Sequence, residues 1–383
     1  MKPIAQRSAT TAVFLANGIG IGAWAVEVPR IKESLRLTDT ALGLALFAFA
    51  LGAIIAMPLA GRLASRFGSG RITAWLAIIF VMALPLPALM PNLACLCLAL
   101  LALGLANGAL DVSMNGHAST IEGIWQAPIM SSFHAAWSLG GLLGAASGAA
   151  IQAEGFGVLG GLLLPDLAIG ALIFISAALA LRNLGTRIKE TAGGLRIPSA
   201  AIMKLALLAF LCMLVEGAVA DWSAVFLRAQ LSTHAGAAAL GYSSFAFAMA
   251  ACRVAGDSSV QRWGPAAVIS AGGVIAAGGL ALVLSWPNEV TACVGFALVG
   301  IGLANIVPVI FSAAGRSTSP PAAGVSMAAT MGYLGFLLGP PLIGFGAGWV
   351  GLRLALTTLV LATVIVAAIG GRAVRTAAHQ AAV

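Results

Sequence analysis

Long apolar runs of about twenty residues, parted by short breaks of glycine, proline and charge, follow one another along the whole chain. A helix rises roughly 1.5 Å per residue and a bilayer core is ~30 Å thick, so each such run predicts one membrane crossing. Twelve spans are predicted, near residues 9–28, 40–61, 72–90, 93–116, 128–151, 160–181, 201–227, 237–255, 266–285, 290–313, 323–348 and 351–370. A polar stretch at 182–200 follows the sixth and separates residues 1–181 from 201–383. The predicted architecture is all-α and integral to the membrane, with two six-helix bundles joined by a linker.

The halves repeat each other. Gly104-Leu105-Ala106-Asn107 recurs as Gly302-Leu303-Ala304-Asn305, Phe47-Ala48-Phe49-Ala50 as Phe245-Ala246-Phe247-Ala248, and Leu42-Gly43 as Leu240-Gly241, all at an offset of 198. Trp24 and Arg30 match Trp222 and Arg228 at the same offset, and Arg66-Phe67-Gly68 matches Arg262-Trp263-Gly264 at 196. Six spans per half leave both halves with one orientation, so the repeat is parallel. In transporters built this way the solute site lies near the bilayer midplane, between the halves.

Composition narrows the class. Hydrophobic residues make up 60% of the chain and charged residues only 8%, against about a quarter in soluble domains. The net charge of +8 sits in short gaps between apolar runs, which reads as topology rather than nucleic-acid binding. With the N-terminus inside, all but five of the 20 Lys and Arg fall on the cytoplasmic side, among them Arg182, Arg187, Lys189 and Arg196 of the linker. Both termini are thus expected in the cytoplasm, although Arg30, Lys32 and Arg36 load the first outer loop. Lys2, Arg7 and Ala23-Trp24-Ala25 resemble a signal peptide, but the internal repeat makes this segment the first span. The five cysteines lie in or beside apolar runs, without disulfide or metal spacing, and read as packing residues.

Ionisable groups inside spans are costly and so point to function or to a satisfied partner. Asn107, Asp111 and Asn115 are spaced i, i+4, i+8 and form one polar stripe on span four. A carboxyl there, whose charge depends on its neighbours, suits proton coupling; the alternative is a tie to a neighbouring helix. Span five offers His134 and Ser138 beside Trp137, ahead of glycines that allow close helix approach. Glu216 lies midway along span seven, favouring a role toward a cavity, while Asp221 and Trp222 lie nearer its outer end. Trp24 and Trp222 are either interfacial anchors or symmetric linings of a pathway, able to stack on a sugar face. Asn17 and Asn305 are further candidate contacts, with interhelical hydrogen bonds as the alternative. Asp166, after Pro165, reads as a loop residue, and Tyr242 as a belt aromatic.

Gly61, Arg62, Arg66, Gly68 and Arg71 mark the loop between spans two and three, a gating and folding element. This loop resembles the major-facilitator signature G-x-x-x-D-R-x-G-R, with Ser65 at the acidic position. Within that superfamily, Asp111 followed by Asn115 is similar to the fucose:proton symporter branch, as is Asn305-Ile306-Val307-Pro308-Val309-Ile310-Phe311-Ser312. The resemblance implies that Asp111 couples protons and that His134 and Ser138 stand where that branch has Gln and Asn for sugar binding. The branch's acid on span one maps near Ala25, with Glu27 the nearest carboxylate. The stretch Ser131–Gly141, with Asp111–Asn115, looks closer still to a bacterial inner-membrane group of the branch.

The leading expectation is proton-coupled symport of a small neutral hydroxylated solute such as a monosaccharide. Asn17, Trp24, Asn107, Asn115, His134, Ser138, Trp222 and Asn305 would bind the solute, and Asp111 with Glu216 would carry the proton. No Arg or Lys is placed deep in a span, which disfavours a strongly anionic solute. Proton-driven export of a metabolite or drug is the alternative. An enzyme is not expected: His134 has no nearby nucleophile, and no H-E-x-x-H or other metal motif is present. A sensor would need a signalling domain beyond the short tails. No cofactor, metal or nucleic-acid partner is expected, and the chain is expected to act as a monomer in a bacterial inner membrane.

Overall fold

A computed structural model describes residues 4–37, 39–176, 199–231, 235–286 and 288–382. Of the predicted linker only Ser199 and Ala200 fall within it; Arg182, Arg187, Lys189, Glu190 and Arg196 lie outside the described residues.

All regular structure among the described residues is helical. The first six predicted spans are α1 (Ile4–Ser34), α2 (Asp39–Phe67), α3 (Ser69–Ala83), α4 (Leu93–Trp125), α5 (Met130–Ala153) and α6 (Val158–Ser176). Span three finishes in a single 3₁₀ turn, Leu86–Leu89, where Pro85 and Pro87 end the α-helical hydrogen bonding. The second six begin with α7 (Ala200–Leu231) and α8 (Ala235–Val254), followed by a short helix, α9 (Gly256–Trp263), in the next loop. They continue with α10 (Pro265–Ser285), α11 (Glu289–Leu303), α12 (Ile306–Arg316), α13 (Pro321–Val350) and α14 (Leu352–Ala382). Nine stretches among the described residues are long and apolar enough to cross a membrane. Helices α5, α6 and α8 fill the remaining predicted positions. Span ten departs from a simple rod: it breaks at Ala304 and Asn305 into α11 and α12.

The chain forms two compact units. The first comprises Met1–Gln126, Phe133–Leu195 and Thr318–Ser326; the second comprises Ala127–Ser132, Arg196–Ser317 and Met327–Val383. Helix packing within each unit rests on glycines set against carbonyls, which bring backbones together where lipid offers no hydrophobic drive. In the first unit, a Cβ on Gly140 would lie 2.2 Å from the Leu15 oxygen, one on Gly144 2.0 Å from Ile19 O, and one on Gly22 2.1 Å from Gly141 O. In the second unit, Gly335 meets Phe210 O at 2.2 Å, Gly339 meets Leu214 O at 2.4 Å, and Gly217 meets Phe336 O at 2.6 Å by the same measure. All three pairs are related by an offset of 195.

Other contacts agree. Gly61 is pressed against Ser326 and Gly256 against Ser131, again at 195. Gly104 faces Phe49 O and Gly300 faces Phe245 O, at 196. At that same offset Gly68 and Gly264 adopt positive φ, 93° and 81°, at the start of α3 and α10. The parallel repeat is therefore real, but its packing register is 195–196 rather than 198. The reason is compositional: stretches rich in Ala, Gly, Leu and Phe match at several registers, and the contact is set by which glycine faces a carbonyl. By packing, Trp24 corresponds to Val219 and Asn107 to Leu303, so neither the two tryptophans nor the two asparagines are symmetric mates.

Candidate functional site

The first unit gathers its polar side chains on α1, α4 and α5. Asn17 of α1 donates through Nδ2 to Asn107 Oδ1 at 2.9 Å, and its Oδ1 accepts the Trp137 Nε1–H at 2.9 Å. An indole is only a donor, so these two bonds fix the Asn17 amide one way round. Asn17 and Asn107 are 2% and 5% exposed, which makes this trio a buried brace between three helices. Trp137 carries a role that the sequence reading left with its neighbours; its place three residues after His134 was the available signal.

One turn along α4 a second network begins. Asn115, fully buried, donates through Nδ2 to the Asp111 carbonyl at 2.9 Å and to Asp111 Oδ1 at 3.2 Å. Its Oδ1 then faces His134 Nε2 at 3.1 Å. Both partners of the amide nitrogen are acceptors, so His134 must donate, and Nε2 carries the proton. The Asp111 carboxyl is left with a buried Oδ2 that has no partner among the described residues. His134 also sets its ring at 63° to Phe14, with centroids 5.6 Å apart, and its carbonyl accepts from Ser138 Oγ at 3.1 Å. Asp111, His134, Trp137 and Ser138 are half-buried, whereas Trp24 is 6% exposed.

The opposite face of α4 holds a ladder that sequence reasoning missed. Thr73 and Ser113 hydroxyls pair at 2.8 Å, and Ser69 Oγ meets His117 Nδ1 at 3.0 Å. His117 is fully buried, and its Nε2 has no partner among the described residues. The i, i+4 spacing of Ser113 and His117 signalled it, but the amide stripe beside it drew the reading.

Near the C-terminal end of α1, Glu27 is fully buried and already engaged. Arg30 Nη1 contacts Glu27 Oε2 at 3.1 Å, Gln152 Nε2 donates to Oε1 at 3.2 Å, and Arg30 Nη2 donates to Phe156 O at 2.7 Å. The carboxylate rests directly on Gly161, where a Cβ would lie 2.0 Å from Oε1. Glu27 is thus a clasp joining α1, α5 and the start of α6. It also neutralises Arg30, one of the basic residues expected in the first outer loop. Asp166 is not in a loop: it lies within α6, 5% exposed, with Oδ1 unpartnered.

In the second unit the polar cluster surrounds the break in span ten. Arg253, at the end of α8, is 6% exposed and donates through Nε to Ala304 O at 3.2 Å, capping the end of α11. Asn305 returns the favour: its Nδ2 donates to Cys252 O at 3.2 Å, near the end of α8. Its Oδ1 is buried beside Gly256, where a Cβ would lie 2.0 Å away, and has no hydrogen-bond partner among the described residues. Half-buried Glu216 of α7 attracts Arg253 electrostatically. A buried cation therefore does sit in this unit, contrary to the expectation from span placement. Arg253 lies two residues before the predicted end of span eight, which had assigned it to the cytoplasmic side. Trp222 packs toward Gly344 of α13, while Tyr242 is 45% exposed. Asp257 Oδ1 accepts the Ser132 N–H at 3.1 Å.

In the predicted gating loop Arg62, Arg66 and Arg71 are exposed, with Arg66 5.3 Å above the Phe67 ring. Gly61 is required by Ser326, whose Oγ donates to Met57 O at 2.9 Å. Ser65 turns back to Gly61 O at 2.7 Å, so the acidic position of the signature carries no charge relay. Among the described residues no three His, Cys, Asp or Glu side chains group as metal ligands.

No protein-family model matches the chain. It is 36% identical over 368 residues, 95% of each chain, to an uncharacterised MFS-type transporter of Yersinia pestis. In structure it is similar to FucP, the E. coli fucose:proton symporter, whose outward conformation overlays with a TM-score of 0.78 at 16% identity over 97% of this chain and 98% of that one. The human organic anion transporter MFSD10 overlays with a TM-score of 0.73 at 17% identity, over 94% and 98%.

Proposed function

This chain belongs to the major facilitator superfamily of transporters, and we propose that it is a proton-coupled symporter of a small neutral hydroxylated solute, a monosaccharide being the leading class. The observation that carries the reading is the Asp111–Asn115–His134 chain. Asp111 presents a buried oxygen with no donor, a place where an ionised carboxylate is costly and a proton relieves the cost. Asn115 ties that carboxyl to His134, so solute contact at His134 or Ser138 and proton occupancy at Asp111 are felt through one amide. Half-buried Trp137 and Ser138 add an aromatic face and a hydroxyl suited to a polyol. Asn17, Asn107 and Asn115 act from behind this surface by holding it in place, since each is buried and already bonded.

The fold overlay does not choose the solute, because a sugar symporter and an organic anion transporter match comparably. A second reading, proton-driven export of a metabolite or drug, draws on the second unit. There buried Arg253, attracted by half-buried Glu216, provides a charge that an ionic solute would perturb. We place the protein in a bacterial inner membrane with both termini cytoplasmic, on the distribution of Lys and Arg and on the bacterial relative. Each polar cluster draws on one unit's own residues, which is consistent with a monomer.

The test uses purified protein in liposomes preloaded with one candidate sugar. Asp111→Asn removes the titratable proton while keeping the hydrogen-bonding shape. It is expected to keep sugar exchange across the membrane and to lose accumulation driven by an imposed pH gradient. Wild-type protein that neither exchanges nor accumulates any sugar, yet extrudes an ionic metabolite against such a gradient, would favour the export reading.

A further inference from the structure

The geometry points to an anionic phospholipid site on the flank of the second unit, in a groove between α10 and α14 that no transport role uses. The groove has a volume of about 790 Å³. Its walls are aliphatic, with Leu284, Val350, Leu354, Leu361 and Val364 among them, and four of these are more than 45% exposed. At its mouth stands one charged side chain, Arg353.

Arg353 is held rather than loose. Its Nε donates to Leu284 O at 2.8 Å, one of the carbonyls that the end of α10 leaves without a helical partner. That bond fixes the guanidinium over the groove and leaves both Nη groups without a partner among the described residues. A planar guanidinium so oriented matches a phosphate diester with two parallel N–H donors. The depth is right for a headgroup. Trp286 directly after α10 and Trp349 at the end of α13 are 69% and 89% exposed, as side chains are at a membrane–water interface. Acyl carbons would run from there along the exposed leucines and valines of α14.

Two further observations argue for a ligand rather than a by-product of the fold. By the packing register of 195, the mate of Arg353 in the first unit is Val158, so the repeat itself does not call for a base here. Arg30, another described arginine near a span end on the same expected side, is satisfied by Glu27, whereas Arg353 has no carboxylate within ion-pair distance among the described residues. A basic residue on the face that usually lacks them carries a cost for topology, which a bound anion offsets. The occupant is a phospholipid rather than free phosphate, because the apolar groove is contiguous with the charge.

The experiment is native mass spectrometry of the detergent-purified full chain, paired with thermal unfolding in the presence of phosphatidylglycerol, phosphatidylcholine or inorganic phosphate. The expected result is one retained phosphatidylglycerol per chain and a rise in Tm with that lipid that inorganic phosphate does not reproduce. Arg353→Ala is expected to weaken phosphatidylglycerol retention by roughly five-fold or more, on the scale of one basic residue near an anionic headgroup. Arg353→Lys should restore part of it, and Thr357→Phe, which fills the groove and leaves the charge, should weaken it as well. Equal retention in wild type and Arg353→Ala would overturn the proposal. So would Tm gains matched by inorganic phosphate, or by phosphatidylcholine at the same concentration.

Discussion

Asn17 and Asp111 show how similar polar residues in one membrane bundle come to do different work. Asn17 has both ends of its amide bonded, to Asn107 and Trp137, and its removal strands one buried and one half-buried partner. Interhelical hydrogen bonds in bilayers are worth about 0.6 kcal/mol on average and up to ~1.7. Asn17→Ala should therefore lower thermal stability by about that amount, and solute preference among related sugars should stay unchanged. Asp111 keeps one oxygen without a partner among the described residues, so Asp111→Asn should leave the fold intact and remove proton dependence. At His134 the assigned Nε2 proton gives a sharper test. His134→Gln retains a donor for Asn115 and should keep coupled transport, whereas His134→Phe, equally bulky but without a donor, should lose it. The sequence pattern placed Asn107, Asp111 and Asn115 on one face. It was silent on their partners, because a helical stripe says which residues share a side and nothing about which neighbours face them. For the same reason the partners of Glu27 stayed hidden, and Pro165 drew Asp166 into a loop that the structure continues as α6.

Between helices, the legible and the hidden divide differently. Every predicted span has a helix, since hydropathy over ~20 residues is a strong signal. The break in span ten had a signal in Pro308, which has no N–H for Ala304 O four residues back; Arg253 takes that carbonyl instead, and Asn305 bonds back to Cys252 O. The repeat was visible and its register was not. Matching words such as Gly-Leu-Ala-Asn aligned the halves two to three residues away from the packing, which follows glycine–carbonyl contacts at 195–196. This register is open to test. Gly140→Val and Gly335→Val, one in each unit, should each destabilise by about 1–3 kcal/mol, the usual cost of overfilling a packed contact. Gly278→Val, where no atom lies within 4 Å of the added Cβ, should be tolerated to within the helix propensity difference. Thermal unfolding in detergent would compare the three directly, and equal behaviour would contradict the register.

For the molecule as a whole, membership of the superfamily accounts for two units with the same internal packing and for polar clusters inside each. The clusters are not copies. The first unit holds an acid, an amide and an imidazole in series; the second holds a helix break stapled by an arginine that Glu216 attracts. Divergence of this kind is compatible with one unit carrying the proton and the other sensing charge or shape. A fluorescent protein fused after Val383 should fold and emit if the C-terminus is cytoplasmic, and an alkaline phosphatase fusion there should be inactive. The most direct test of coupled symport is extracellular pH in de-energised, weakly buffered cells expressing the protein while single sugars are added. The account predicts alkalinisation with one sugar or a narrow group of sugars, absent in Asp111→Asn at equal membrane expression. Alkalinisation that persists undiminished in Asp111→Asn, or sugar entry with no proton movement at all, would contradict it.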